Sequence, residues 1–245
     1  MSISALLFSC NRVQKEDQEK SDFKFLTEQF GDAKILRYQV PGFEQLSLNQ
    51  KKLIYYLSQA ALCGRDIIYD QNYDNNLLIR KTLEAIYSNF QGDKNSEDYR
   101  NFVVYTKRFW FSNGIHHHYS TDKFLPDFSK DYFATLVKGI KPEMLPLQEG
   151  QTVDQFLTEL TPIIFDPGVA PKRVSLDPEK DLVLSSSANF YSGVNQTEVE
   201  DSYTKLKAAD EKNKQDTRIS YGLNDKVVKE GHKIQEVIGK LGGMH

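Results

Sequence analysis

The stretch that decides how this chain is built, residues 108–131, reads RFWFSNGIHHHYSTDKFLPDFSKD. It holds the only Trp of the sequence, three of the five His and four of the 15 Phe. Ser112, Asn113 and Gly114 begin a predicted loop between two segments with helical spacing. A rigid scaffold can present such a loop to a ligand, so this concentration of aromatic and imidazole side chains favours a binding wall over a simple connection.

The segment before this loop is predicted to be a helix that anchors it. Ser96 has the side chain of a helix cap, and Glu97 and Asp98 suit the positive end of the helix dipole. The residues that recur at helical spacing, and that we expect in the core, are Tyr99, Phe102, Val103, Thr106, Phe109 and Trp110. The loop is therefore expected to leave a well-packed stem.

Upstream of this stem the sequence predicts one strand and two helices. Residues 34–40 alternate loosely between turn residues and are predicted to be a strand. Ser47 and Gln50 match a capping box at the start of a helix, which Gly64 is expected to end in the left-handed conformation. The apolar face of this helix is predicted to comprise Leu53, Leu57, Ala60 and Ala61. A second helix is predicted over residues 74–90, with Ile79, Leu83, Ile86 and Phe90 at helical spacing.

Downstream of the loop, Ser129 is a predicted cap of a short helix, and Thr152 with Gln155 forms a second capping box. Pro162 is expected to end or kink the helix that begins there, because its ring disfavours helical geometry in the preceding residue. Residues 166–178, rich in Pro and Gly, are predicted to be a surface loop and the best candidate for a seam between subdomains.

The C-terminal part mixes strand and helix signals. Residues 182–192 are weakly strand-like, and Thr197 is predicted to cap a helix. Residues 218–221 and 226–229 are predicted to pair as a hairpin, with helix as the alternative for the second half, and a final helix is predicted over residues 233–240. Helices with a minority of scattered strands favour the α+β class over alternating βαβ units.

Composition limits the class of partner. The chain has 245 residues, 39% of them hydrophobic and 27% charged, which is typical of a soluble globular protein. A formal net charge of −3 gives no general attraction to nucleic acid, so we expect no partner of that kind. No apolar run approaches the roughly 18 residues that a membrane-spanning helix needs.

The N-terminus nevertheless indicates a lipid anchor. Residues 3–10 are apolar and end Leu7-Phe8-Ser9-Cys10, which resembles the lipobox of bacterial lipoproteins, although no positively charged segment precedes it. Residues 1–10 are therefore predicted to be a signal remnant with Cys10 lipidated, residues 11–30 a polar tether, and residues 31–245 one domain. This predicts a bacterial cell-envelope location, with a frayed N-terminus and a cytoplasmic location as the alternative. The second Cys, Cys63, is expected to be a buried, inert thiol.

No complete catalytic motif is present in the sequence. The zinc-hydrolase pattern His-Glu-x-x-His, the G-x-S-x-G elbow and the phosphate-binding glycine loops are all absent, so we predict no catalytic residue and no metal ligand. The His116-His117-His118 trio leaves three alternatives open: neutral His lining a cleft, exposed loop polarity, or metal binding by His116 and His118. Two imidazoles alone do not make a metal site.

Three segments, in the same order and spread over about residues 45–245, resemble the N-terminal region of bacterial dipeptidyl peptidase III proteins. They are residues 111–120 continued by 122–126, residues 189–193 followed by 197–200, and residues 220–230 before 242–244. That family consists of two-lobed zinc exopeptidases that release dipeptides from peptide N-termini. The resemblance implies that the zinc helix, with its His-Glu-x-x-Gly-His pattern, lies in the upper lobe and beyond this chain.

The resemblance also implies roles for residues of the loop. His118 and Tyr119 fall beside the pocket for the peptide's N-terminal side chain, and Asn113 and Lys123 help to shape the same loop. The chain is thus expected to be an N-terminal, lower-lobe fragment with no cofactor of its own, since zinc belongs to the full-length family, and to be inactive alone. Its expected partners are an oligopeptide substrate and the missing C-terminal catalytic lobe. The alternative is a non-catalytic peptide-binding or scaffold lipoprotein.

Overall fold

A computed structural model describes residues 23–213 and 225–238, which belong to two compact units that separate after Pro41. The first unit contains an antiparallel hairpin of β1 (Leu26–Phe30) and β2 (Ala33–Leu36). The predicted strand over residues 34–40 is therefore confirmed only in its first part, and its partner β1 was not predicted. The seam predicted at residues 166–178 is wrong, because that segment lies inside the second unit.

The second unit is mainly helical, with one small sheet. Its helices are α1 (Leu48–Cys63), α2 (Arg65–Asn72), α3 (Asn76–Asn89), α4 (Glu97–Ser112), α5 (Lys130–Lys138), α6 (Val153–Phe165) and α7 (Gln196–Asn213), with 3₁₀ turns at Phe43–Gln45 and Pro142–Met144. In the sheet, β3 (Tyr191–Ser192) pairs in parallel with β4 (Asp225–Glu230), which pairs antiparallel with β5 (Lys233–Ile238). The α+β class is confirmed.

Side-chain caps begin the helices where the sequence predicts them. Ser47, Ser96, Ser129 and Thr152 each accept a hydrogen bond from the backbone N–H three residues later, which satisfies a donor that the first turn leaves free. Helix α7 differs, because its cap is Asn195 rather than Thr197. The Asn195 Oδ1 accepts from Glu198 N at 2.9 Å, and the Glu198 carboxylate accepts from Asn195 N at 3.1 Å.

The core of the second unit lies among α3, α4, α5 and α6. The predicted stripes are confirmed in most of their members: Ile79, Leu83 and Ile86 of α3 are fully buried, and Tyr99, Phe102, Thr106 and Phe109 of α4 are buried with them. The other predicted members, Phe90, Val103 and Trp110, are partly buried and pack against this core. The largest fully buried side chains are Phe102, Phe109, Phe133 and Phe156. Burial of each such side chain contributes roughly 1.5–3 kcal/mol, so this cluster supplies the rigid body from which the His-rich loop extends.

Two helix ends differ from the predictions. Gly64 is right-handed, with φ −81°, because α2 begins at the next residue, so that Gly64 joins two helices instead of ending one. Helix α6 runs through Pro162 to Phe165, held by the buried Leu160 and Ile164. The carbonyl that loses its partner to Pro162 belongs to Thr158, on the exposed face of α6, where water can satisfy it.

The C-terminal strands also correct the sequence analysis. The final helix predicted over residues 233–240 is wrong, because Lys233–Ile238 form β5, paired residue for residue with β4 across Gly231 and His232. Gly231 has φ +62°, which suits this two-residue turn. The strand predicted at residues 226–229 is confirmed as part of β4, whereas its predicted partner at residues 218–221 lies outside the described residues.

The strand predicted over residues 182–192 is confirmed only at its end. In its first part, Asp181 Oδ1 accepts hydrogen bonds from Val183 N and Leu184 N, both at 2.9 Å. The hydroxyls of Ser185 and Ser186 donate to the carbonyls four residues earlier. Such local bonds compete with strand pairing, so this part of the segment forms a turn.

Helix α1 exposes most of its apolar side chains. Its predicted core face is wrong, because Leu53 and Leu57 are about 60% exposed and the helix has no buried residue. Cys63 is also exposed, not buried as expected, because no described part of the chain covers this end of α1. The exposed large apolar residues of α1 are Leu48, Leu53, Ile54, Tyr55, Tyr56, Leu57 and Leu62. A patch of this kind favours association.

We therefore predict that the Leu53→Glu/Leu57→Lys variant associates less than the unaltered chain. The new side chains form an i,i+4 pair of favourable polarity, so unfolding free energy should change by less than about 0.5 kcal/mol. Sedimentation velocity should show an association constant lower by at least about tenfold. Leu184→Lys, which removes an exposed Leu outside α1, is the control and should leave association unchanged; equal association of all three proteins would contradict the prediction.

Candidate functional site

Asn113 and its neighbours fix the point where the His-rich loop leaves α4. Asn113 ends α4 in the left-handed conformation, with φ 53° and ψ 47°, and its carbonyl accepts from Asn72 Nδ2 at 3.0 Å. The fully buried Asn76 donates to the Asn113 carbonyl at 3.4 Å and to the Tyr69 carbonyl at 3.0 Å, and accepts from Ile115 N at 3.2 Å. One buried amide therefore joins α2, α3 and the loop.

The loop then folds back on itself. His117 N donates to the Asp122 carbonyl at 2.7 Å, and Phe124 N donates to the Ile115 carbonyl at 3.1 Å. Inside this narrow turn, Nδ1 of His117 accepts from Tyr119 N at 3.2 Å and from Ser120 N at 3.1 Å. The backbone on both sides of His118 is thereby held in place.

Residues 166–175 brace the loop from outside. Lys123 N donates to the Pro171 carbonyl at 3.0 Å, and Arg173 N donates to the Thr121 carbonyl at 2.9 Å. The ammonium of Lys123 donates to two carbonyls near the end of α6, those of Asp166 at 2.5 Å and Val169 at 2.9 Å. Burial lowers the pKa of Lys123 to about 8. Lys123 thus shapes the loop through its contacts with the chain itself.

His116 is buried in the same contact between the loop and residues 166–175. Its Nε2 lies 2.8 Å from the Ala170 carbonyl, which can only accept, so Nε2 carries the proton of the neutral ring. Its Nδ1 is buried and has no hydrogen-bond partner among the residues that the structure describes. Burial, together with the cations Arg173 and Lys123, lowers the pKa of His116 to about 4. His116 is therefore neutral at pH 7.

His118 and Tyr119 form the exposed tip of the loop. The His118 ring meets Phe111 edge-on at 4.9 Å between centroids and Tyr119 at 5.9 Å. Tyr119 is 88% exposed, the largest exposure among the large hydrophobic side chains that the structure describes. Of the four predicted site residues, His118 and Tyr119 face solvent, whereas Asn113 and Lys123 hold the loop.

The donors around the loop do not fit zinc. Within residues 23–213 and 225–238, no group of three His, Cys, Asp or Glu side chains is arranged to hold a metal ion. The free nitrogen of His116 is enclosed, and Nδ1 of His117 already accepts two amide protons. No chemical step is therefore assigned to a metal here.

Asn76 and Arg173 are structural partners of the loop that the sequence analysis did not find. Asn76 lies in α3, and the Arg173 guanidinium reaches the Asn72 amide oxygen at 3.3 Å. Neither residue belongs to a recognisable motif, so no sequence signal marks them. An apolar hollow beside residues 174–176 was also not predicted, although the apolar pairs Leu182-Val183 and Phe190-Tyr191 in its wall are visible in the sequence.

Comparison with known proteins leaves the family open. Neither a scan against protein-family models nor a search of curated proteins found a match for this chain. The predicted lipidation site, Cys10, lies outside the described residues. In the described part of the chain, no helix combines the length and the hydropathy needed to cross a membrane.

Proposed function

We propose that this chain is the N-terminal part of a dipeptidyl peptidase III-like protein, in which His118 and Tyr119 form one wall of a peptide-binding cleft. The ordered sequence segments that resemble this family support the assignment. The observation that carries it is Tyr119, which combines 88% exposure with a backbone held by His117 and by the braced loop.

An aromatic side chain placed in this way is suited to binding. Tyr brings a large apolar surface and a hydroxyl, and ordering its two side-chain torsions costs little entropy compared with a long flexible side chain. The loop is already ordered by Asn76, Lys123 and residues 166–175, so a peptide would not need to order it. Preorganisation of this kind increases affinity.

In the proposed protein, this chain and a further lobe have different roles. Peptide-bond hydrolysis belongs to the zinc-bearing lobe that the resemblance implies, and this chain supplies contacts only. The exposed apolar surface of α1 supports a partner lobe of this kind. The proposal includes a lipid anchor at Cys10, which would place the cleft at the bacterial cell envelope.

We predict that Tyr119→Ala weakens the binding of an alanine-rich hexapeptide by about tenfold, because Tyr is enriched among the few interface residues whose truncation costs more than about 1 kcal/mol. Isothermal titration calorimetry measures the affinity, and chemical denaturation should show no change in unfolding free energy beyond about 0.5 kcal/mol.

Tyr38→Ala is the matched control, because Tyr38 is 78% exposed and lies in the other unit. It should leave peptide affinity unchanged. Equal affinities of the Tyr119→Ala protein and the unaltered chain, or no peptide binding at all, would contradict the proposed function.

A further inference from the structure

An apolar hollow lies beside the His-rich loop. Three parts of the second unit line it: residues 174–176, residues 182–191 and the first turns of α7. Its volume is about 410 Å³. Since an engineered apolar cavity of about 150 Å³ binds benzene, this hollow has room for a two-ring aromatic or a branched aliphatic group.

The polar groups of the wall are already bonded to each other. The Ser186 hydroxyl accepts from Ser175 N at 2.9 Å and donates to the Leu182 carbonyl at 2.6 Å. The Gln196 side chain accepts from Leu182 N at 3.0 Å and donates to the Glu200 carboxylate at 2.8 Å. These bonds fix the shape of the hollow, so a ligand meets mainly apolar surface there.

The charge of the wall is small. Burial raises the pKa of Tyr191, and the neighbouring Tyr203, which hydrogen-bonds to it, raises this pKa further, so Tyr191 is neutral at pH 7. Among the described residues that line the hollow, the one ionised side chain is Glu200, and it lies exposed at the rim. An uncharged group therefore suits the interior.

The wall of the hollow is hydrogen-bonded to the loop that carries Tyr119. The Thr121 hydroxyl donates to the carbonyl of Val174, a wall residue, at 3.1 Å, and Arg173 N donates to the Thr121 carbonyl at 2.9 Å. Val174 and Leu176 expose apolar surface beside this contact. Tyr119 precedes Thr121 by two residues, and a chain spans at most about 3.3–3.6 Å per residue, so the backbone of Tyr119 and the wall residue Val174 lie within reach of a few extended peptide residues.

We propose that this hollow binds an aromatic or branched aliphatic side chain of the peptide that contacts Tyr119. This assignment rests on the proposed function and adds to it a preference for an apolar residue at one position of the peptide. The volume, the apolar lining, the satisfied polar groups and the hydrogen bond from Thr121 to the wall residue Val174 together favour a peptide side chain as the occupant.

The test uses hexa-alanine and six single-Trp versions of it, each titrated into the 245-residue chain. One Trp position should bind about tenfold more tightly than hexa-alanine, since burial of a large apolar side chain is worth at least one such factor. Ala188→Leu, which fills the hollow from a wall position, should remove that gain and leave the affinity for hexa-alanine unchanged. Glu200→Gln is the charge control and should keep the gain.

Methyl NMR of the unaltered chain locates the peptide independently of any variant. The best Trp peptide should shift the methyl signals of Val174, Val183 and Val199, which line the hollow. Shifts confined to other methyl groups would overturn the assignment even if Ala188→Leu failed to fold.

The remaining outcomes separate the two proposals. If all peptides bind equally and Tyr119→Ala weakens them, the hollow assignment fails and the proposed function stands. If free N-acetyltryptophanamide binds in the hollow as tightly as any peptide, the occupant is a small aromatic molecule and the peptide assignment is overturned. If neither peptide nor amide binds, both proposals fail.

Discussion

Replacing Gly114 by Ala is expected to lower the free energy of unfolding by about 3–5 kcal/mol. Gly114 has φ +142°, a backbone conformation that residues with a side chain rarely adopt. A Cβ atom there would lie 2.1 Å from Nδ2 and 2.7 Å from Cγ of Asn76. No van der Waals contact is that short, so either the loop or Asn76 must move.

Movement of Asn76 is costly because its amide is fully buried and bonded on both sides. Its Nδ2 donates a hydrogen bond to the Tyr69 carbonyl, and its Oδ1 accepts one from the N–H of Ile115. Ile115 is itself fully buried. Leaving one such buried group without a partner costs about 1–3 kcal/mol, and the backbone strain at position 114 adds a similar amount. The loss is therefore larger than for an ordinary glycine.

Urea denaturation followed by circular dichroism measures the effect, with Gly150→Ala as the control. Gly150 has φ +75°, but no atom of the described residues lies within 4 Å of the position that a Cβ would take, so its replacement should cost only about 1–2 kcal/mol. In a double-mutant cycle, Asn76→Ala should make Gly114→Ala less costly than in the unaltered chain. Equal losses for Gly114→Ala and Gly150→Ala would contradict the account of the loop.

Local signals explain which parts of this fold the sequence predicts. The caps at Ser47, Ser96, Ser129 and Thr152 depend on bonds that span three residues, so the sequence contains both partners. The stripes of α3 and α4 are likewise set by spacing within one element. The class of fold follows from such elements, and it was predicted correctly.

The errors arise where contacts distant in sequence decide the outcome. Residues 233–238 have short apolar spacing that fits a helix or a strand, and pairing with β4 decides for a strand. The apolar spacing of α1 predicts a buried face, but the sequence of α1 alone does not determine whether another element covers that face. Pro162 is tolerated because burial of Leu160 and Ile164 outweighs one lost hydrogen bond.

In the candidate site, too, local features can be predicted from the sequence and contacts between distant residues cannot. Composition marks the loop in the sequence, whereas His118 and Tyr119 were selected through the family resemblance, and the structure places both at the exposed tip. The sequence does not distinguish the three consecutive His, since their roles depend on Ala170, which lies 54 residues after His116, and on the path of the backbone around His117. The hydrogen bond that Ile115 N donates to Asn76 Oδ1 spans 39 residues and follows from no local pattern.

His116 is expected to make the protein less stable in acid. The pKa of His116 is about 4 in the folded state, below the ordinary value of 6.5. Between these two pH values the unfolded chain binds a proton at His116 and the folded chain does not. The contribution of His116 to the free energy of unfolding is fully present above pH 6.5 and is lost as the pH falls towards 4. The loss over that range is about 2–3 kcal/mol, because each unit of pKa difference corresponds to about 1.36 kcal/mol.

The surroundings of His116 explain why the ring resists protonation. Nε2 already donates to the Ala170 carbonyl, so a second proton would be placed on Nδ1, which is buried without an acceptor. Arg173 and Lys123 also disfavour a positive charge there, and Asp122 opposes them only weakly. Protonation should therefore loosen the contact between the loop and residues 166–175.

His116→Gln isolates this effect, because the Gln amide can still donate to the Ala170 carbonyl and does not titrate. Between pH 7 and pH 4, the unfolding free energy measured by urea denaturation should fall by about 2–3 kcal/mol more in the unaltered chain than in the variant. Carboxylates that titrate in the same range affect both proteins equally and cancel in the comparison. Parallel pH profiles of the two proteins would show that His116 is protonated as easily in the fold as in water, and the buried, neutral imidazole that braces the loop would have to be abandoned.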